Sequence, residues 1–326
     1  MKPNTFLKFR SIVLCLLVAL LLSIQGCIED DLSVCGVSIT LVYTKNMDRI
    51  DKLESDVKQV NLFVFDTKGL FVDQFASKGA SLYEGYTMTL PLPPGEYDFV
   101  AWGNLSEDYE VTSFVKGKTT KAEAMLSLRR GEDDVVNNRI GSLFHGTKRM
   151  IVKPDLQKNQ RDTIDLIKNT KNIIVTVKGL ALEPDATPED CGYACTITSR
   201  NGDYRFDNSI IATKQLHYIP QAQVDESKSL VADFMILREL ETNITRSKLT
   251  ITKNKPLSKA GSGEVEELRT LNLVELLVPI AIKDGYTLDT EDIFKIEIVF
   301  DFTNGTSNIY INGWEVSNSG EILTSV

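Results

Sequence analysis

Apolar residues come along this chain in short runs with a two-residue beat, interrupted by Gly, Pro, Asn or Asp. Residues 37–43 alternate apolar and polar side chains at first, as a half-buried strand does. Residues 60–66 form a strongly apolar strand. Thr67-Lys68-Gly69 punctuates it, and residues 70–75 read as its hairpin partner. Residues 87–92 are another strand, closed by the turn Pro93-Pro94-Gly95, because proline fixes φ and glycine accepts a positive one. Residues 96–104 run as strand into turn, with Tyr97, Phe99 and Ala101 on one core-like face. The second half restarts at residues 172–180, whose β-branched residues favour strand. Residues 249–252 alternate cleanly, and residues 271–280 read as strand up to Pro279. The strongest strand is 294–302, which directs Phe294, Ile296, Ile298, Phe300 and Phe302 to one side. Asn304-Gly305 turns it, and 309–311 and 314–316, split by Asn312-Gly313, close the chain.

Other stretches carry less pattern. Residues 45–58 are charged and read as a loop with a short helix. Residues 119–130 fit neither helix nor strand, 159–168 are polar, and 258–266 are a polar loop. Many short strands and few helices predict an all-β chain with two β-sandwiches in series. The boundary falls near Lys168-Asn169-Thr170-Lys171, dividing the body into 37–168 and 169–326.

The first residues obey another logic. Lys2, Lys8 and Arg10 precede an unbroken apolar run from Ile12 to Leu22, too short for a typical membrane span. Ser23-Ile24-Gln25-Gly26-Cys27 comes next. This is a secretory signal over 1–26, and it resembles a bacterial lipobox in which Cys27 is lipidated and becomes the mature N-terminus. Gln25 stands where that pattern usually has a small residue. The competing reading is an ordinary signal peptide cut nearby. Residues 27–36 then form a tether. Its Glu29-Asp30-Asp31 resembles the acidic tags that send some lipoproteins to the outer face of the outer membrane; a solvated linker is the alternative.

Charge narrows the partners. Removing 1–26 takes away three basic side chains and no acidic one, so the net charge moves from −9 to −12. Nucleic acid and anionic headgroups are poor partners for such a chain. Acyl chains on Cys27 would hold it at the membrane without a basic patch. One chain gives only marginal binding, and lipoproteins of the kind it resembles usually carry three. Cys35, Cys191 and Cys195 remain after processing. A Cys191–Cys195 disulfide is conceivable outside the cytoplasm, and buried thiols are the alternative.

Motifs for chemistry are missing. His145 and His217 have no Cys or carboxylate at metal-ligand spacing, so no metal or cofactor is expected. Gly117-Lys118-Thr119 echoes the end of a P-loop, but Thr112 stands where its first glycine belongs. There is no G-x-S-x-G elbow. Asp162-Thr163-Ile164 matches a short O-glycosylation pattern used by some secreted bacterial proteins. No catalytic residues are assigned, and no enzyme is expected.

Cys27-Ile28-Glu29-Asp30-Asp31-Leu32-Ser33-Val34-Cys35-Gly36 resembles the start of the FimB-type fimbrial anchor lipoproteins of type V pili. So do Pro94-Gly95-Glu96-Tyr97 running into Ala101-Trp102-Gly103-Asn104, then Leu143-Phe144-His145-Gly146, then the strand opening the second half. The resemblance covers essentially the whole mature chain. It implies two tandem transthyretin-like, Greek-key β-sandwiches at the membrane end of a fimbrium. Such anchors hold the fibre to the outer membrane and limit its length. Their subunits join by strand exchange, with main-chain hydrogen bonds giving affinity and alternate side chains filling pockets.

On that resemblance the candidate donor is 309–326, with Ile309, Ile311, Trp314, Val316, Ile322 and Leu323 as apolar plugs; the plainer reading is a final hairpin of the second sandwich. A retained N-terminal strand over 37–43 would keep the chain's own groove filled and end the polymer. The expected partners are a fimbrial stalk subunit and the outer membrane through acyl chains. The alternatives are a tip or accessory adhesin of the same assembly and a surface glycan-binding lipoprotein. The latter needs exposed aromatics, and Trp102 and Trp314 lie in strand-like contexts.

Overall fold

A computed structural model describes residues 36–77, 82–153, 160–182, 192–254, 265–317 and 322–325. The first half of the chain supplies β1 (Gly36–Val42), β2 (Val60–Asp66), β3 (Phe71–Ala76), β4 (Thr87–Pro91), β5 (Gly95–Gly103) and β6 (Tyr109–Val111). It continues with β7 (Met125–Leu128), β8 (Val135–Val136), β9 (Phe144–Val152), β10 (Gln160–Asp165) and β11 (Ile167–Lys168). The second half supplies β12 (Thr170–Lys178), β13 (Tyr193–Ser199), β14 (Asp203–Arg205), β15 (Leu216–Tyr218), β16 (Gln221–Val224) and β17 (Leu230–Leu237). β18 (Lys248–Asn254), β19 (Val265–Asn272), β20 (Ile293–Asp301), β21 (Thr306–Ile311), β22 (Trp314–Val316) and β23 (Ile322–Ser325) complete the set.

The frame is all-β and built of several sheets. The first half makes a three-stranded sheet, β10-β1-β4, and a five-stranded one, β11-β9-β5-β2-β3. The second half makes a seven-stranded sheet, β16-β17-β12-β20-β21-β22-β23. The remaining two sheets mix the halves. In β19-β18-β13-β15-β8 the strand β8 pairs with β15, and in β14-β7-β6 the strand β7 pairs with β14. Within the stretch between β5 and β9, β7 and β8 are therefore built into sheets with the second half, while Thr120 bridges back to Leu70 in the first.

Two apolar cores result. One lies between the two sheets of the first half and holds Val37, Ile39, Leu41, Leu62, Val64, Phe99 and Ala101. The other holds Phe63, Phe65, Val100 and Trp102 together with Ile173, Val175, Phe206 and Phe234. The five-stranded sheet of the first half is thus buried on both faces. The sequence pattern gave β5 one core face, Tyr97, Phe99 and Ala101. Val100 and Trp102, on the opposite face by strand parity, are as deeply buried. Their cover includes second-half side chains, which no local pattern reveals.

Three further expectations change. Residues 271–280 were expected as strand; instead Leu273–Lys283 is an eleven-residue helix. Its buried residues, Leu273, Val274, Leu276, Leu277, Ile280 and Ala281, recur at three- and four-residue spacing. Pro279 lies inside it, at the cost of one backbone hydrogen bond. Gly285 at φ +85 ends it, where Tyr286 N–H donates to Ala281 O at 2.7 Å. Phe302 does not continue the face of β20. The strand stops at Asp301, and Phe302 is 55% exposed, stacked on Phe300 at 5.4 Å. The polar stretch 159–168 contributes β10 and β11, with Ile164 and Leu166 turned into the core.

Candidate functional site

Among the described residues no group of three or more His, Cys, Asp or Glu side chains is placed to hold a metal ion. His145 is enclosed, its ring 4.5 Å from Trp102 and its Nε2 3.2 Å from Phe206 O. Burial pushes its pKa down to about 4. His217 sits in β15 opposite Thr198 and Val135. Gly117-Lys118-Thr119 is a turn against β3, with Gly117 N–H donating to Phe71 O at 2.8 Å. Cys195 is buried in β13, while Cys191 and Cys27 lie outside the described residues. No described helix is long and apolar enough to cross a membrane.

Chain architecture offers more than chemistry does. β1 is the middle strand of its sheet. It runs parallel to β10, with Val37 opposite Gln160, and antiparallel to β4, with Val37 opposite Leu90. Val37, Ile39 and Leu41 are 0% exposed. Burying three such side chains is worth roughly 5–9 kcal/mol. On the other face Ser38 and Thr89 hydroxyls lie 3.3 Å apart, and those of Thr40 and Thr87 3.1 Å. Beyond the strand, Thr44 donates through its N–H and hydroxyl to Asp165 at 3.0 and 2.7 Å. Without β1, β4 and β10 would face each other across an apolar groove.

The C-terminal strands occupy the chain's own sheet. β21 lies between β20 and β22, and β23 is the outermost strand, with Val316 opposite Ile322. Ile309, Ile311 and Val316 are buried in the second core. Trp314 is half-buried. Its Nε1–H donates to Asp284 Oδ1 at 3.1 Å, and Lys283 Nζ lies 4.9 Å from its ring centroid. Ile322 and Leu323 lie in β23, where only the backbone is described. The turn Asn312-Gly313 has positive φ at both positions, as a two-residue type I′ hairpin loop requires.

That turn is bolted to the loop 284–292, which sequence reasoning did not single out. Asn312 Nδ2 donates to Glu291 Oε1 at 2.7 Å and Asp284 Oδ2 at 3.3 Å. Burial, and then the nearby Asp284 charge, lift Glu291 to about 7. The same loop receives the first half of the chain. Arg49 Nη2 donates to Gly285 O at 2.9 Å, and Lys168 Nζ meets Asp292 Oδ2 at 2.6 Å. Buried Lys171, lowered to about 8 by desolvation, donates to Glu291 O at 2.9 Å. The run Asp284, Asp289, Glu291 and Asp292 was its available sequence signal.

Known proteins share this architecture. The minor fimbrium anchoring subunit Mfa2 of Porphyromonas gingivalis is 24% identical over 268 residues, which is 80% of this chain and 78% of that one. The solved fimbrial anchor protein Mfa2 of that organism shares the fold at a TM-score of 0.70 and 22% identity, over 89% of this chain and 99% of its own. A Bacteroides thetaiotaomicron protein described as a candidate polysaccharide-binding protein matches at 0.73 and 23% identity, over 90% and 98% of the two chains. A family model described as fimbrillin-A associated anchor proteins Mfa1 and Mfa2 matches residues 32–320, most of the chain. By that match, the chain belongs to the family of fimbrillin-A associated anchor proteins Mfa1 and Mfa2.

Proposed function

We propose that this chain is the subunit that fastens a fimbrium to the outer membrane and stops the fibre at its base. Acyl chains on Cys27 hold it in the bilayer, and the acidic tether leads to β1. The observation that carries the reading is the state of β1. It is paired on both sides and buries Val37, Ile39 and Leu41 completely, so the groove it fills is closed to a strand from another subunit. A subunit with its own groove closed ends a chain of strand exchanges.

The body divides into 37–168 and 169–326, each the basis of a transthyretin-like Greek-key sandwich, with β7 and β8 of the first segment lent to sheets of the second. The change of sheet between β11 and β12 supports the division. The stalk subunit joins by strand exchange involving the C-terminal segment. The outermost position of β23 supports that role for its end, while Ile309, Ile311 and Val316 are enclosed in the second core. The glycan-binding alternative has less support: Trp102 is fully enclosed, and the Trp314 N–H is engaged by Asp284.

The test is electron microscopy of fibres on cells carrying Cys27→Ala, beside cells lacking the protein. Fibres shed into the medium or abnormally long in both strains are expected. Normal attached fibres in both would sink the reading.

A further inference from the structure

The hydroxyl groups around β1 are nearly all engaged. Ser38 is matched with Thr89, Thr40 with Thr87, and Thr44 with Asp165. Thr163 differs. It stands on β10, directly beside Thr40 in the parallel register, and is exposed. Its hydroxyl has no hydrogen-bond partner among the described residues, although its N–H donates to Asp162 Oδ1 at 2.8 Å. The flanking residues turn inward. Ile164 is in the core, and Asp162 is drawn to Lys148 at 2.8 Å. Thr163 is left projecting from the edge strand of a sheet, at the centre of the one Asp-Thr-Ile tripeptide in the chain.

We propose that Thr163 is a site of O-linked glycosylation. The co-reactant is an activated glycosyl donor, a sugar joined through its anomeric carbon to a phosphate. Thr163 Oγ1 forms the new bond to the anomeric carbon. The bond from that carbon to the phosphate oxygen breaks, the phosphate leaves with the electron pair, and the hydroxyl proton passes to the base of the transferase. No oxidation or reduction is involved. The inference rests on export of the chain, and it stands whether or not the chain anchors a fibre.

A glycan here has a physical consequence. Edge strands invite pairing with other chains, and proteins blunt them with bulk or charge. A sugar on the open face of β10 shields the strand that holds β1 from one side. It therefore protects the pairing that keeps the groove filled.

Trypsin releases residues 162–168, in which Thr163 is the only hydroxyl side chain. Protein purified from the membranes of its own bacterium is expected to give this peptide, or the intact chain, with added whole-sugar mass. Thr163→Ser should keep the added mass and Thr163→Val should lose it. In a host without the glycosyltransferase, Thr163→Val should leave the thermal midpoint unchanged, because the hydroxyl supports no described contact. Recovery of the peptide wholly unmodified from the native membranes would overturn the proposal.

Discussion

Glu239 is the residue whose surroundings make the sharpest demand. It is 1% exposed and held by Ser199 Oγ at 3.1 Å, Asn201 Nδ2 at 2.8 Å and the Thr245 hydroxyl. Burial raises its pKa from an ordinary 4.5 to about 7, against the pull of those hydrogen bonds. The folded state therefore favours the protonated acid. Its contribution to stability is complete below about pH 4.5 and is lost as pH rises through about 7, a span worth on the order of 3 kcal/mol. His145, depressed by burial to about 4, has the opposite sign: its contribution is lost as pH falls from its ordinary 6.5 through 4. The informative quantity is accordingly a difference between proteins. Urea unfolding of Glu239→Gln should show a shallower fall in stability between pH 5 and 7 than the parent. Equal slopes would mean that Glu239 is ionised throughout the range.

At the scale of elements, the strands with a clear two-residue beat were legible, and those that depend on distant cover were not. β2, β12 and β20 carry their burial in their own pattern. β10 does not: Arg161 and Thr163 face out, and only Ile164 points to a core. The run 271–280 was ambiguous for a different reason. With only Asn272 and Glu275 polar, the run offers too few polar positions to separate helix from strand, and Pro279 argued against a helix that forms in spite of it. The candidate site divides the same way. The strand over 37–43 was visible as β1, with Tyr43 just past its end, whereas the attachment loop 284–292 depends on partners far away in the chain. Pro279→Ala tests the helix. It restores a backbone N–H and removes a residue about 3 kcal/mol worse than Ala in a helix interior. Greater freedom of the unfolded chain returns up to about 1 kcal/mol, so thermal unfolding should show a gain of about 1–2 kcal/mol. A loss would mean that the packing of Leu276, Leu277 and Ile280 depends on the bend that proline imposes.

At the scale of the molecule, the two halves share too much interior to melt apart. Phe206, from the second half, has its ring 5.0 Å from Phe63, 6.1 Å from Phe65, 6.0 Å from Trp102 and 5.0 Å from Phe114, all from the first. β8 and β7 cross into sheets of the second half, and Arg49 and Lys168 tie the first half to the loop that holds the terminal hairpin. A body that carries load between a bilayer and a fibre gains from this, because a force on either end meets one shared core. The two tryptophans lie on strands of different halves, Trp102 in β5 and Trp314 in β22, although Trp102 also meets Phe206 of the second half. Fluorescence of Trp102→Phe and Trp314→Phe proteins should therefore give unfolding transitions of the same steepness that answer alike to a third change. Phe206→Ala, which empties a space shared by both halves at a cost of about 3–5 kcal/mol, should lower the Trp102 and Trp314 midpoints together. If only one midpoint fell, the halves would be unfolding as independent units, and the shared core would not couple them.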